Sequence, residues 1–450
     1  MSSADRPRPD GTFAQDPLAG TADEFEVVPV HGPLDATVRP PGSKSITNRA
    51  LICAALASGR TELRGVLFAD DTEAMLDCLR GLGIRMEIDR DANTVRVTGC
   101  RGLPPAEGAV LDARLSGTTA RFVTPVAALG GSTVVIDGGP PLRARPMGDL
   151  LDALVEMGAQ IEPLGESGHL PVQIEARGLL GGEISVRGDV SSQFLSAVLL
   201  SAPDMVEGLS VSVTTPLVSR PYVDMTLEVM AEFGAHTSSD PGGRIAVAPT
   251  GYRAVAQYSI EPDASAASYF FAAAVICGGR VRVEGFGPRS MQGDLRFVDV
   301  LERMGARVTR TAEGIEVSGG DELHGIEIDM GEISDTAQTL AVVAPFASSP
   351  TRVTGIGFIR RKETDRIAAV VTELRRLGID ATEEDDGFVV NPGTPMPALV
   401  QTYDDHRMAM SFALIGLRSP GVRIADPGCV AKTFPGFWSA LDSLRPGQRR

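Results

Sequence analysis

Three lysines stand among the 42 basic residues of this 450-residue chain, and the other 39 are arginines. A bias toward arginine accounts for most surface positions but not for which lysines survive. Arginine does not release its proton in a protein, so a retained ammonium marks a place where a compact, titratable cation is wanted. Lys44 lies in PPGSKSITNR (40–49), Lys362 in RRKETDR (360–366) and Lys432 in VAKTFPGF (430–437). The first string sets Lys44, Ser45 and Arg49 at a helix opening, where exposed N–H groups and the helix dipole favour an anion. It is not a Walker loop, because Ser43 separates Gly42 from Lys44. Taken alone, the second string also reads as a solvated helix start and the third as a surface turn. All three lysines falling in such strings weighs against both bland readings.

Other polar groups gather at predicted helix openings. YDDHRMAM (403–410) offers Asp404, Asp405, His406 and Arg407; LRARPMGD (142–149) offers Arg143 and Arg145; VSSQF (190–194) offers two hydroxyls and an amide. Each can equally be a capped helix start. GFGPRS at 285 and GIGFIR at 355 lack the third glycine of a dinucleotide fingerprint.

The elements that must position these groups recur along the chain. A helical segment ending in an apolar residue and glycine repeats at Gly83, Gly158, Gly234, Gly305 and Gly378, with intervals of 75, 76, 71 and 73 residues. Each glycine fits a helix C-cap and precedes alternating, strand-like stretches such as Thr94-Val95-Arg96-Val97. A sixth copy, FWSALDSL, is cut short by the end of the chain. Interleaved with these, small-residue helices follow Ser43, Ser116, Ser191, Asp263, Ser334 and Asp405, and each leads into a strand: TELRGV, STVVIDG, LSVSVT, VRVEGF, TRVTGI or VRIAD. Six units of about 70 residues exceed ordinary solenoid repeats and suit two closed α/β domains of three units each.

Asp and Glu outnumber Lys and Arg by 58 to 42, a formal charge of −16. This argues against nucleic-acid and anionic-membrane binding, which need a broad basic face. The five cysteines show no metal-ligand spacing, and reduced, cytoplasmic thiols are expected. No apolar run reaches the roughly 18–20 residues of a membrane span. Residues 1–26, rich in Pro, Asp, Ser and Gly, are expected to be a disordered tail, and the terminal RPGQRR a second loose end.

The ordered strings SKSITNR, LSGTTAR, RARP, VSSQF, LVSRPY, PDASAASYF, SDTAQT, RKETDR, DDHRMAM and AKTFP closely resemble the EPSP synthase family of enolpyruvyl transferases over about residues 27–440. The resemblance implies a two-domain α/β fold of six βαβαβββ-type units, an inverse α/β-barrel-like arrangement with three units per domain. One domain would combine 27–42 with 262–450, the other would be 43–261, and the active site would lie in the interdomain cleft. The implied reaction transfers the enolpyruvyl group of phosphoenolpyruvate to the 5-hydroxyl of shikimate 3-phosphate by addition and elimination, with no cofactor or metal, in a cytoplasmic monomer. By matching motifs, Lys44, Ser45, Arg49, Ser191, Ser192, Gln193, Ser219, Tyr222, Asp335 and Lys362 are expected to contact shikimate 3-phosphate. Lys44, Gly117, Arg145, Gln193, Arg366, His406, Arg407 and Lys432 are expected to contact phosphoenolpyruvate, and Asp335, Glu363 and Lys44 to move protons.

Two positions depart from the familiar pattern: Leu115-Ser116-Gly117 stands where Asn-Ala-Gly is common, and Phe358-Ile359 where an Asn-Trp pair occurs. Gly117 implies room for the phosphoenolpyruvate mimic glyphosate. A UDP-N-acetylglucosamine enolpyruvyl transferase would share fold and donor, but a reactive Cys is expected in its donor loop, which this chain lacks. A non-catalytic repeat protein would leave the three lysines unexplained.

Overall fold

A computed structural model describes residues 23–240 and 243–445. The chain divides into two compact units: Met1–Pro41 with Glu261–Arg450, and Gly42–Ile260. Among the described residues each unit is built on three sheets. Five of the six sheets have four strands and share one pattern, a parallel pair extended by an antiparallel hairpin. In the middle of Gly42–Ile260, for example, Ala109–Asp112 runs parallel to Thr133–Asp137, which pairs antiparallel with Val172–Glu175 and through it with Gln160–Pro163.

Two helices serve each sheet. One precedes a strand of the parallel pair and is almost wholly buried: Lys44–Leu56, Gly117–Ala128 and Ser192–Ser201 in one unit; Ala264–Cys277, Ala337–Val343 and His406–Gly416 in the other. Their Ala, Ser, Thr and Gly content lets three helices pack against one another at the centre of each unit. Side-chain oxygens of Ser43, Ser116, Ser191, Asp263 and Asp405 cap five of the six, satisfying N–H groups that burial would otherwise strand.

The second helix is lateral and ends at the repeating glycine. Gly83, Gly158, Gly234, Gly305 and Gly378 all have φ between 78° and 109°. The following residue closes a hydrogen bond back across the last turn, as in Ile84 N to Leu79 O at 3.0 Å and Ile379 N to Leu374 O at 3.0 Å. This left-handed C-cap is the reason for glycine at that period.

The truncated sixth copy is completed from the other end of the chain. Ala398–Val400 and Val422–Ala425 form its parallel pair, and Glu24–Glu26 joins antiparallel to Val422–Ala425 as the third strand. The expected tail therefore ends earlier than residue 26. Phe25 lies 4.3 Å from the Trp438 ring, an apolar contact that the polar composition before it concealed. At the other terminus, Arg445 of the expected loose end donates to the carbonyls of Val28 and Pro29. Residues 1–22 and 446–450 lie outside the described residues.

The chain passes from one unit to the other twice. Leu34–Val38 pairs in parallel with Gly279–Glu284, so all of Gly42–Ile260 is inserted between two neighbouring strands of one sheet. Likewise Gln257–Ser259, at the end of the inserted unit, pairs with Arg60–Arg64 near its start. Each unit thus closes its own sheets.

Candidate active site

In Gly42–Ile260 the predicted residues collect where the central helices begin. Lys44 Nζ lies 3.0 Å from Asp71 Oδ2, and the Asp71 side chain is 4% exposed at the head of the lateral helix Asp70–Gly81. The Asp71 carbonyl accepts the Thr119 hydroxyl at 3.0 Å, tying Lys44 to the start of Gly117–Ala128. Gln193 bridges onward: its Oε1 accepts from Arg121 at 2.7 Å and its Nε2 donates to Thr118 at 3.2 Å. Arg121 also stacks on the Phe194 ring, 5.3 Å from its centroid. A Cβ on Gly117 would lie 2.7 Å from an Arg121 nitrogen and 3.1 Å from one of Arg145. Only glycine leaves both guanidinium groups undisturbed.

Arg49 is 2% exposed, and its acceptors are the Ser45 and Tyr222 carbonyls and the Thr226 and Ser196 hydroxyls, at 2.8–3.4 Å. All four are uncharged. Burial pulls its pKa down to about 10 against the small opposing pull of Tyr222. A buried cation served by neutral acceptors favours a nearby anion. Tyr222 follows Ser219, which is buried with φ 51° at the start of Arg220–Glu232. Ser191 caps its helix and Ser192 opens it.

In the other unit one carboxylate collects three cations. Asp335 Oδ1 lies 2.6 Å from Lys362 and 3.2 Å from Arg366, and Oδ2 lies 2.8 Å from Arg407. The network continues from Arg366 to Asp405 at 2.7 Å and to Glu363 at 2.9 Å, and from Glu363 to Lys432 at 3.2 Å. Arg366 is 1% exposed and Arg407 7%, and bidentate pairing to Asp405 fixes the Arg366 plane. His406, 1% exposed, follows Asp405 with its Nδ1 3.7 Å from that carboxylate. Phe358 places its ring 5.7 Å from Lys362 Nζ, a cation–π contact that supports Lys362 at one of the departing positions.

Burial alone would raise the Asp335 pKa, but Arg407, Lys362 and Arg366 reverse this and hold it well below the usual carboxylate range. Burial lowers the Lys362 pKa, an effect that Asp335 partly opposes. An ionised acceptor and a softened ammonium therefore stand 2.6 Å apart.

The structure brings Asp335, Lys362, Glu363, Arg366, Arg407 and Lys432 into one network, and Lys44, Gly117 and Gln193 into another with Arg145 beside Gly117. The sequence reading passed over Asp71, Arg121 and Asp405 as site members. Arg121 stood in the LSGTTAR string, four residues after Gly117 with no charge pattern around it, and Asp71 resembled an ordinary acidic first turn. Among the described residues no group of three His, Cys, Asp or Glu is placed to hold a metal ion.

Comparison with known proteins supplies the family. The model for "EPSP synthase (3-phosphoshikimate 1-carboxyvinyltransferase)" matches residues 29–441. A 3-phosphoshikimate 1-carboxyvinyltransferase from Nostoc punctiforme is 46% identical over 418 residues, covering 93% of this chain and 98% of the relative. One from Ralstonia nicotianae is 46% identical over 430 residues, covering 92% and 98%. A solved EPSP synthase from Acinetobacter baumannii superposes with a TM-score of 0.81 at 27% identity, over 94% of this chain and 98% of that one. With its two α/β units, its anion-seeking cations and this similarity along nearly its whole length, the chain belongs to the EPSP synthase family, enzymes that transfer an enolpyruvyl group from phosphoenolpyruvate to shikimate 3-phosphate.

Proposed function

We propose that the two constellations divide the work of this one reaction. Lys44, Ser45, Arg49, Ser191, Ser192, Gln193, Ser219 and Tyr222 bind shikimate 3-phosphate, with Asp335 and Lys362 at its reacting side. Lys44, Gly117, Arg145 and Gln193, together with Arg366, His406, Arg407 and Lys432, bind phosphoenolpyruvate. The observation that carries this reading is the concentration of cations: buried Arg49 among uncharged acceptors, and half-buried Lys362 with buried Arg366 and Arg407 around one carboxylate. Two substrates bearing phosphate and carboxylate groups need such guanidinium forks to offset their repulsion.

In the addition step the 5-hydroxyl oxygen bonds to C2 of phosphoenolpyruvate while the C3 methylene gains a proton. In the elimination step C3 returns a proton and the C2–O bond to phosphate breaks. Asp335 accepts the hydroxyl proton. Its three cations make it a weak base until bound anions draw on the same cations, so substrate binding itself moves Asp335 toward useful basicity. Lys44, held by Asp71, and Glu363, held between Arg366 and Lys432, exchange the methylene proton. The five free cysteines fit a cytoplasmic setting, and closure of each unit on its own sheets fits a monomer.

Calorimetry of shikimate 3-phosphate binding, combined with steady-state kinetics, tests the division. Arg49→Met is expected to weaken shikimate 3-phosphate about 10- to 100-fold, the cost of one or two charge-assisted hydrogen bonds. Lys432→Met is expected to raise KM for phosphoenolpyruvate by a similar factor while leaving shikimate 3-phosphate affinity within about threefold. The reverse pattern would contradict the assignment.

A further inference from the structure

The loop that delivers Asp405, His406 and Arg407 holds an improbable backbone. Tyr403 and Asp404, consecutive and neither of them glycine, have φ of 57° and 55°. Asp tolerates this left-handed region, but a bulky residue such as Tyr adopts it only under constraint. The constraint comes from Glu373, 0% exposed on the helix Arg366–Arg376. Its Oε1 accepts the Tyr403 hydroxyl at 2.7 Å, and its Oε2 accepts the Gln401 backbone N–H at 3.0 Å and Arg376 Nε at 2.8 Å. The same helix grips the loop a second time two turns earlier, where Arg366 pairs with Asp405. The loop is strapped to one helix at both of its ends.

The device has a counterpart in the inserted unit. Asp77 is the eighth residue of Asp70–Gly81, as Glu373 is the eighth of Arg366–Arg376. Asp77 pairs with Arg80 three residues on, as Glu373 does with Arg376, and also with Arg114. Arg114 has φ 52° and stands three residues before the central helix Gly117–Ala128, the place Tyr403 holds before His406–Gly416. The Asp77 carboxylate is 47% exposed, whereas Glu373 is sealed from water, so the strap at Glu373 is the stiffer of the two.

We propose that Glu373 is a positioning residue for the reaction: through Tyr403 and Gln401 it holds the left-handed turn that sets Asp405 on Arg366 and Arg407 on Asp335. The inference rests on the assignment of Arg366 and Arg407 to phosphoenolpyruvate. Its effect should therefore be selective. Glu373→Ala is expected to lower kcat/KM for phosphoenolpyruvate at least tenfold while changing calorimetric shikimate 3-phosphate affinity less than threefold. Adding Tyr403→Asn, whose side chain tolerates the left-handed region, is expected to recover at least threefold of that loss. Tyr403→Phe, which removes one hydroxyl and keeps the ring, tests the strap if Glu373→Ala does not fold, and is expected to raise KM for phosphoenolpyruvate threefold or more. A folded Glu373→Ala protein within twofold of the parent would overturn the proposal. So would a loss shared equally by both substrates and untouched by Tyr403→Asn, or an unchanged Tyr403→Phe protein where the alanine variant does not fold. Failure of the parent protein to turn over both substrates would instead contradict the functional assignment itself.

Discussion

Asp335 shows how little freedom a single side chain retains in this site. Three cations converge on its carboxylate, so it stays ionised far into the acid range. A carboxylate whose folded pKa is depressed stabilises the fold above its unfolded pKa of about 4 and loses that contribution as pH falls toward the folded value. Asp335→Asn is accordingly expected to lower the melting temperature at pH 7 and to narrow the difference from the parent below pH 4. Its turnover is expected to fall by at least about 100-fold, within the range of general acid–base contributions. Glu363→Gln keeps the shape but not the charge that Arg366 and Lys432 share. Near-normal turnover in that variant would remove Glu363 from proton transfer. Gly117→Ala pushes a methyl into Arg121 and Arg145, and kinetics should show it as a raised KM for phosphoenolpyruvate and weakened glyphosate inhibition. Much of this was legible in residue type, because an arginine-rich chain kept lysine at Lys44, Lys362 and Lys432. Asp71 and Asp405 were not, because their roles are to hold Lys44 and Arg366 from distant elements, and pairing across 27 or 39 residues leaves no local spacing signal.

At the scale of elements, the repeating glycines and helix caps were readable because they answer local backbone needs. Each glycine closes a left-handed C-cap, and Ser or Asp satisfies N–H groups at five of the six buried helix starts. Glu24–Glu26 was not readable, because three residues carry no period and their strand exists only by pairing with Val422–Ala425, nearly 400 positions away. Phe25→Ala should therefore destabilise the unit that holds His406–Gly416, by about 1–3 kcal/mol for a half-buried aromatic, as read by urea denaturation. A half-buried carboxyl lies at the far end of the central helix Ser192–Ser201 in the inserted unit. Asp204 closes the short turn Ala202–Asp204 there, its Oδ2 meets no hydrogen-bond partner, and burial raises its pKa to about 7. A raised carboxyl pKa means the folded state holds a proton that the unfolded chain has released. Stability then declines as pH climbs from about 4 to 7 and levels off above. Asp204→Asn is expected to melt higher than the parent at pH 8, with the gain closing at pH 5.

At the scale of the molecule, the charge of −16 says little about the site. Screening over roughly 8 Å at physiological ionic strength separates an acidic exterior from buried arginines that act at contact distance. What the whole chain contributes is topology. Insertion of Gly42–Ile260 between Leu34–Val38 and its partner strand gives each unit its own set of three sheets among the described residues, packed around three buried helices. The number of repeats was visible in sequence because five return the same glycine and the sixth begins the same helix. The pairing of Gln257–Ser259 with Arg60–Arg64, and of the N-terminal strand with the sixth sheet, was not, because identical repeats do not say which copy lends a strand to which. The proposed division of work has both cation networks serve one enolpyruvyl transfer. Its most direct measurement is phosphate release from phosphoenolpyruvate by the full chain, with the product identified by phosphorus NMR. Release is expected only when shikimate 3-phosphate is also present, in equal amount to a new enol-ether product, and none when UDP-N-acetylglucosamine replaces it. Release without shikimate 3-phosphate, or none with both substrates present, would contradict the proposed transfer.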